Sequence, residues 1–109
     1  MHELSITESV VETVVERLGE KRVVRVVLEI GKLSGVVVDS VRFCFDLVTD
    51  GTTLQGARLE VDEPPGLARC RLCGKEIEMS DLLAVCACGS AELDVIAGEQ
   101  LRIKEVEVA

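Results

Sequence analysis

The apolar residues of the first segment recur with the three-to-four-residue spacing of an amphipathic helix: Val10, Val11, Val14, Val15 and Leu18. The preceding residues Ser5 to Glu8 have the capping-box pattern, which places the helix start at Ser5 or one turn earlier, and Gly19 ends the pattern. We expect this helix to depend on packing, because valine has a low intrinsic helix propensity.

The period changes to two after Arg22, which predicts a strand with one largely buried face: Val24, Val26, Leu28 and Ile30. Gly31 and Gly35 end this strand, and Asp39 is predicted to cap a second helix. Apolar residues of that helix follow helical spacing: Val41, Cys44, Leu47 and Val48. Another half-buried strand is predicted over residues 58–62 and is broken by Pro64, Pro65 and Gly66.

Residues 67–97 contain four paired cysteines and little regular periodicity, whereas apolar residues recur again from Leu101 to Val108. We expect this last strand to return to the sheet of the first half. The predicted fold class is α+β. A small α/β domain, residues 1–66 plus 98–109, has two helices on a three-stranded sheet, and residues 67–97 form an inserted zinc-ribbon-like domain with four cysteines.

The amino-acid composition argues against two classes of partner, nucleic acids and membranes. The net charge is −8, from 12 basic and 20 acidic side chains, so the chain repels phosphate backbones, and two Phe without Tyr or Trp leave little for bases to stack on. We expect no nucleic-acid partner. No apolar stretch approaches the length of about 20 residues that a membrane-spanning helix needs, and the N-terminus has no leader-like pattern. We therefore expect a soluble, cytoplasmic protein with no membrane partner.

Four of the five cysteines occur in two close pairs, Cys70 with Cys73 and Cys86 with Cys88. An odd number of cysteines without a secretory signal argues against disulfides, and four thiolates complete the tetrahedral set that structural zinc prefers. The second pair is one residue short, so we expect the following Gly89 to bend the chain. The sequence predicts a structural zinc site.

Alternatives to this zinc site stay open. The thiols could be buried or redox-active, although Pro64, Pro65 and Gly66 precede Cys70 where a dithiol oxidoreductase would have a strand and a helix N-terminus. If the short pair cannot bind fully, Asp81 or Glu92 is the nearest carboxylate substitute. The fifth cysteine, Cys44, is predicted to be a small core residue of the second helix.

The single histidine, His2, adjoins the terminal amine of Met1. The amine, the amide nitrogen of His2 and its imidazole can close two fused chelate rings on one ion. Three nitrogens in a plane suit Ni(II) or Cu(II). By spacing alone, however, a terminal histidine is more often a solvated side chain than a metal ligand.

Several segments together resemble the HypA/HybF family of hydrogenase nickel-insertion accessory proteins. They are the N-terminal residues 1–5 (Met-His-Glu-Leu-Ser), residues 30–34 (Ile-Gly-Lys-Leu-Ser), residues 43–46 (Phe-Cys-Phe-Asp), the two cysteine pairs and residues 99–103 (Glu-Gln-Leu-Arg-Ile). The resemblance covers essentially the whole chain in order. One departure is the second cysteine pair, because the family commonly has two residues between those cysteines.

The resemblance implies a non-enzymatic nickel metallochaperone. It implies Ni(II) bound by Met1 and His2 with help from Glu3, and structural Zn(II) bound by Cys70, Cys73, Cys86 and Cys88. It also implies partnership with a HypB-type GTPase and the large subunit of [NiFe]-hydrogenase, with urease as a second recipient in some organisms, and a monomer or weak homodimer. The alternative functions are a zinc-ribbon scaffold without metal delivery and, less favoured, a thiol redox protein.

Overall fold

The computed structural model describes residues 2–109, except for the side chain of His2. Within that range the elements follow in this order: α1 (His2–Leu18), β1 (Val23–Ile30), α2 (Val38–Thr49), β2 (Arg58–Asp62), β3 (Gly66–Cys70), β4 (Glu76–Met79), β5 (Leu93–Ala97) and β6 (Leu101–Val108). Neither helix is long and apolar enough to cross a bilayer. Two helices with two small sheets confirm the predicted α+β class.

The strands form two three-stranded sheets, in the orders β2-β1-β6 and β4-β3-β5. The first order confirms that the last strand returns to the sheet of the first half. In the second sheet, β3 pairs antiparallel with both neighbours. Residues 67–97, whose sequence shows little regular periodicity, therefore contain almost all of this second sheet.

Helix α1 begins at His2, about one turn before Ser5, so the earlier of the two expected starts is correct and Ser5 does not cap the helix. Thr7 lies inside the helix with only 1% of its surface exposed, and its hydroxyl donates a hydrogen bond to the carbonyl of Glu3 at 2.6 Å. This bond satisfies the buried hydroxyl within the helix. The predicted apolar face is buried through Val10, Val11 and Val14.

Strand β1 and helix α2 also differ from the expected burial. Val24 is exposed, whereas Val23 and Val27, on the opposite face of β1, are buried. Leu47 of α2 is exposed, and the buried side chains of this helix are Val41, Phe45 and Thr49. Strand β2 has the predicted bounds, Arg58–Asp62. The elements are therefore predicted better than the side chains that each of them buries.

Asp39 does not cap α2. The N-cap residue is Val37, which makes no side-chain cap hydrogen bond, and Asp39 lies in the first helical turn. A carboxylate in the first turn still interacts favourably with the positive end of the helix dipole. Its oxygens remain available for other contacts.

Contacts along the chain define two compact units. One contains Met1–Leu28, Val36–Val61 and Arg102–Ala109, and the other contains Glu29–Gly35 and Asp62–Leu101. The predicted domain limits, residues 1–66 plus 98–109 and residues 67–97, stay a prediction. This division differs from them chiefly by placing residues 29–35 with the cysteine-containing unit.

The second unit has a small core to which the segment after β1 contributes one side chain. Leu33 is buried with Ala68 and Met79. The backbone N–H of Leu33 donates to the carbonyl of Gly98 at 2.8 Å, and the N–H of Gly31 donates to the carbonyl of Gln100 at 2.8 Å. These hydrogen bonds hold Leu33 over the sheet that positions the cysteines.

Candidate metal centre

The sheet β4-β3-β5 brings the two cysteine pairs to one end. Cys70 is the last residue of β3 and lies opposite Leu93, the first residue of β5. The second pair, Cys86 and Cys88, lies in the connection from β4 to β5, shortly before Leu93. The antiparallel pairing of β3 and β5 therefore places the two pairs side by side.

Each pair is held in a tight backbone turn that begins at its first cysteine. In the first turn, the N–H of Gly74 donates to the carbonyl of Cys70 at 2.9 Å, and the N–H of Cys70 donates to Lys75 at 2.8 Å. In the second turn, the N–H of Gly89 donates to Cys86 at 2.8 Å. The closing hydrogen bond therefore spans four residues in the first turn and three in the second.

A glycine follows the second cysteine of each pair, and both glycines have left-handed backbone angles. The φ angle is +77° at Gly74 and +96° at Gly89, a region that side chains with a Cβ atom adopt rarely. The bend expected at Gly89 is therefore present, and it compensates for the shorter spacing between Cys86 and Cys88.

The four sulfur atoms lie within 4.8 Å of one another. The Sγ atoms of Cys70 and Cys88 are 3.6 Å apart, and those of Cys73 and Cys86 are 3.5 Å apart. Four thiolates at tetrahedral corners, each about 2.3 Å from a zinc ion, would be separated by roughly 3.8 Å. The residues therefore fit a four-thiolate metal site. The group does not include Asp81 or Glu92, the carboxylates considered as substitutes.

Local hydrogen bonds give the thiols of Cys70 and Cys88 different pKa values. The backbone N–H of Cys73 and, less strongly, that of Leu72 donate to the sulfur of Cys70 and lower the pKa of its thiol to about 6. At Cys88 the N–H of Ser90 acts in the same direction. Hydrogen bonds with the thiols of Cys86 and Cys70, together with burial, have a larger effect than the Ser90 N–H and raise the pKa of Cys88 to about 11. Without a metal, the thiol of Cys70 therefore ionises at a lower pH than the thiol of Cys88.

The predicted nickel ligands fall at the edge of the described chain. Met1 and the side chain of His2 lie outside the described residues. The carboxylate of Glu3 accepts a hydrogen bond from the backbone N–H of Val37 at 3.1 Å. Val37 is the N-cap residue of α2, so Glu3 satisfies one of the free backbone donors at the start of that helix.

A surface cavity of about 400 Å³ adjoins Glu3, and Asp39 and Cys44 contribute to its lining. Cys44 is half-buried, so its predicted role as a core residue is wrong. The place of Asp39 was missed by the sequence analysis, because a cap explained this residue. The available sequence signal was that Asp39 lies one turn before Phe43, which is not part of the apolar face predicted for this helix. In the structure Phe43 is 69% exposed.

Comparison with known proteins extends these observations to the whole chain. Residues 1–108 match the family model described as HypA, hydrogenase/urease nickel incorporation, metallochaperone. The hydrogenase maturation factor HypA of Nostoc punctiforme is 53% identical over 108 residues, which cover 99% of this chain and 96% of that protein. The hydrogenase maturation factor HypA of Geobacter metallireducens is 50% identical over 109 residues, 99% of each chain.

The fold is also similar to a solved structure. The solution structure of the Ni metallochaperone HypA from Helicobacter pylori superposes with a TM-score of 0.63 at 19% identity and covers 97% of this chain and 96% of that one. At this identity the likeness establishes the fold alone. With the family match over residues 1–108, it shows that this chain belongs to the HypA family of hydrogenase and urease nickel-incorporation metallochaperones.

Proposed function

We propose that this protein is a non-enzymatic carrier that binds Ni(II) at its N-terminus and delivers it for the maturation of [NiFe]-hydrogenase. The observation that carries the proposal is the family match over residues 1–108, since it includes both the Met-His-Glu start and the two cysteine pairs. A carrier must bind selectively and still release its cargo. A site built from the chain end can be surrendered to a partner without unfolding the protein.

The nickel ligands in this proposal are the amine of Met1 and the amide and imidazole nitrogens of His2. Glu3 contributes by its placement. Its carboxylate accepts from the N–H of Val37, which fixes the first turn of α1 beside the start of α2. Asp39 lines the adjoining cavity and gives the cargo an acidic neighbourhood.

Zn(II) is the resident metal in this proposal, held by the thiolates of Cys70, Cys73, Cys86 and Cys88. When bound, the ion would join the two cysteine turns directly to each other, and its role is structural. The N–H groups that stabilise the Cys70 thiolate prepare the site for a cation before the metal arrives.

The partners in this proposal are a HypB-type GTPase and the large subunit of [NiFe]-hydrogenase, with urease as an alternative recipient. We propose a cytoplasmic protein that acts as a monomer or weak homodimer. Such a carrier forms temporary complexes, and each complex must leave the chain end accessible to the receiving site.

Equilibrium dialysis with metal analysis of untagged protein tests the proposal. We expect one tightly bound zinc and one weaker, exchangeable nickel per chain. Calorimetric titration of nickel should then show loss of binding in His2→Ala and in a form with one extra residue before Met1, while zinc stays bound in both. The extended form keeps the imidazole but converts the terminal amine into an amide.

Two outcomes would argue against the proposal. Zinc binding without nickel binding would favour the zinc-ribbon scaffold. Unchanged nickel affinity in both altered proteins would place the nickel site elsewhere in the chain. Cys44→Ser serves as a control, because it changes a thiol near Glu3 without altering the chain end or the four clustered cysteines.

A further inference from the structure

Two surface cavities lie between α1 and α2. The first, near Glu3, has a volume of about 400 Å³ and is lined from α2 by residues including Asp39 and Cys44. The second has a volume of about 420 Å³ and is lined from α1 by Val11 and Val15, among others. Since early α1 residues face early α2 residues and later ones face later ones, the helices run in the same direction, and both cavities belong to one groove.

The floor of this groove is apolar and its rim is acidic. Val11 is buried, Val15 and Val48 are half-buried, and they form the floor of the second cavity. Exposed carboxylates follow one side of α1 at four-residue spacing: Glu8, Glu12 and Glu16. The linings of the two cavities contain five carboxylates and neither lysine nor arginine.

Folding alone does not explain this arrangement of charge. Glutamates four residues apart on a helix repel one another and weaken it. The one arginine of α1, Arg17, lines a different cavity, beside β6. Glu8, Glu12 and Glu16 also lie beside exposed apolar surface, where their charge raises the affinity for a cationic ligand.

We propose that this groove is a docking site for an amphipathic helix of a partner protein, with apolar residues along one face and lysine or arginine beside them. Such a helix would place its apolar side chains over Val15 and Val48 and its cations against the three glutamates. The groove runs along α1 from Glu3 to Glu16, which is about 13 residues at 1.5 Å each, or roughly 20 Å. A partner helix of about the same length would fill it.

Charge complementarity excludes other occupants. A second copy of this chain carries a net charge of −8, and its helices α1 and α2 offer only Arg17 and Arg42 as arginine or lysine. Nucleic acid and anionic membranes would be repelled by the same carboxylates. The inference extends the proposed function, because a carrier requires a surface that its partner recognises, and its test is made without nickel.

The probe is a synthetic helical peptide of about 14 residues, with leucine along one face and lysine elsewhere. A matched peptide carries glutamate in place of lysine. Titrated into isotope-labelled full-length, zinc-loaded protein, the lysine peptide should shift amide resonances chiefly in residues 3–16 and 39–52, which line the two cavities. The glutamate peptide should produce no such shifts, and added salt should weaken binding of the lysine peptide.

Two triple variants with equal net charge separate the groove from general attraction. Glu8→Gln, Glu12→Gln and Glu16→Gln together should weaken peptide binding about tenfold. Glu63→Gln, Glu78→Gln and Glu99→Gln remove the same charge from exposed positions outside the groove and should change affinity by less than about threefold. Equal weakening in both variants, unchanged affinity in the first, or shifts concentrated elsewhere would overturn the proposal, whether or not the chain binds nickel.

Discussion

The side chain of Leu33 lies directly over the α-carbon of Gly66. A Cβ atom on Gly66 would overlap Cδ1 and Cγ of Leu33 and would also approach the carbonyl oxygen of Met79 at 3.1 Å. Leu33 is only 7% exposed, so it has little space to move. The first residue of β3 must therefore be glycine if Leu33 is to fill the core of the cysteine-containing unit.

This contact predicts that substitutions at the two positions are coupled. Gly66→Ala should destabilise the zinc-loaded protein by about 1–3 kcal/mol through overpacking. Leu33→Ala should destabilise it by about 2–5 kcal/mol through lost burial and a cavity. The double variant should be less destabilised than the sum, since the smaller side chain makes room for the new methyl group.

Urea unfolding followed by circular dichroism measures this coupling. The control combines Gly66→Ala with Leu54→Ala, because Leu54 is fully buried in the other unit. That control pair should be additive within about 0.5 kcal/mol. Additive effects for Leu33 and Gly66 as well would show that their contact does not determine the stability of this core.

A second prediction concerns Arg71 and Asp94, which connect the first cysteine turn to β5. The guanidinium donates from Nε to the Asp94 carboxylate at 2.8 Å. This hydrogen bond and the charge of Arg71 lower the pKa of Asp94 below its ordinary range. Because the pKa of Asp94 is lower in the folded state, the stabilisation from this pair is fully present at neutral pH. It is lost as the pH falls through the pKa of Asp94 in the folded protein.

Carbon-detected NMR titration of the Asp94 carboxyl tests this prediction. The pKa in the wild type should lie below that in Arg71→Met, where it should return to about 3.9. Arg71→Lys should give an intermediate value, since it keeps the charge without the planar guanidinium. Identical titration curves for all three proteins would mean that the ion pair is absent in solution.

The features that the sequence predicts correctly are those determined by residues close together in the chain. Strand β2 was predicted within its observed bounds because Pro64 and Gly66 end the pattern immediately after it. The turn at Cys86 could be predicted because Gly89 follows the pair at the position where the backbone takes a positive φ angle. These features depend on a few neighbouring residues.

The features that were missed depend on distant contacts. Leu33 belongs to the core of a sheet whose strands begin more than thirty residues later, and no local pattern identifies that partner. Likewise, Asp39 has the composition of a helix cap, but the N–H of Val37 bonds to Glu3, 34 residues earlier in the chain. The start of α2 is therefore held by a tertiary contact, and Asp39 lies in the first turn without capping it.

The proposed nickel site should release its metal under mild acidification. An amine titrates near pH 8 and a free imidazole near 6.5, and both must be deprotonated to bind a metal. Nickel occupancy measured by dialysis should therefore fall between about pH 8 and 6, before zinc is lost. Retention of nickel well below pH 6 would indicate ligands other than the terminal amine and imidazole.

The short cysteine pair should be as important for zinc retention as the longer pair. Cys73 and Cys88 are both exposed, and each sulfur lies about equally close to a buried cysteine of the other pair, at 3.5 and 3.6 Å. Cys73→Ser and Cys88→Ser should therefore lower zinc content to a similar degree, as measured by metal analysis after dialysis against a weak chelator. Cys44→Ser should retain full zinc. Full occupancy in Cys88→Ser would mean that another ligand replaces that thiolate.

Removal of zinc should unfold the cysteine-containing unit and spare most of the other one. The core of the first unit includes large buried side chains such as Val26, Leu28 and Phe45. In the second unit, the buried cluster of Leu33, Ala68 and Met79 is surrounded by side chains that are only partly buried: Ile77, Ala84, Leu93 and Val95. A bound structural zinc stabilises small modules by on the order of 10 kcal/mol, so this smaller core depends on the metal.

Amide hydrogen exchange with and without a strong chelator measures the effect. Protection should be lost in β3, β4 and β5, where pairs such as Cys70 and Leu93 face each other, and should persist in α1 and in β1 around Val26. Adding zinc back should restore the lost protection, which excludes irreversible thiol oxidation as its cause. Loss spread evenly over both units would contradict the prediction, because it would mean that the metal stabilises one cooperative fold and not a separate module.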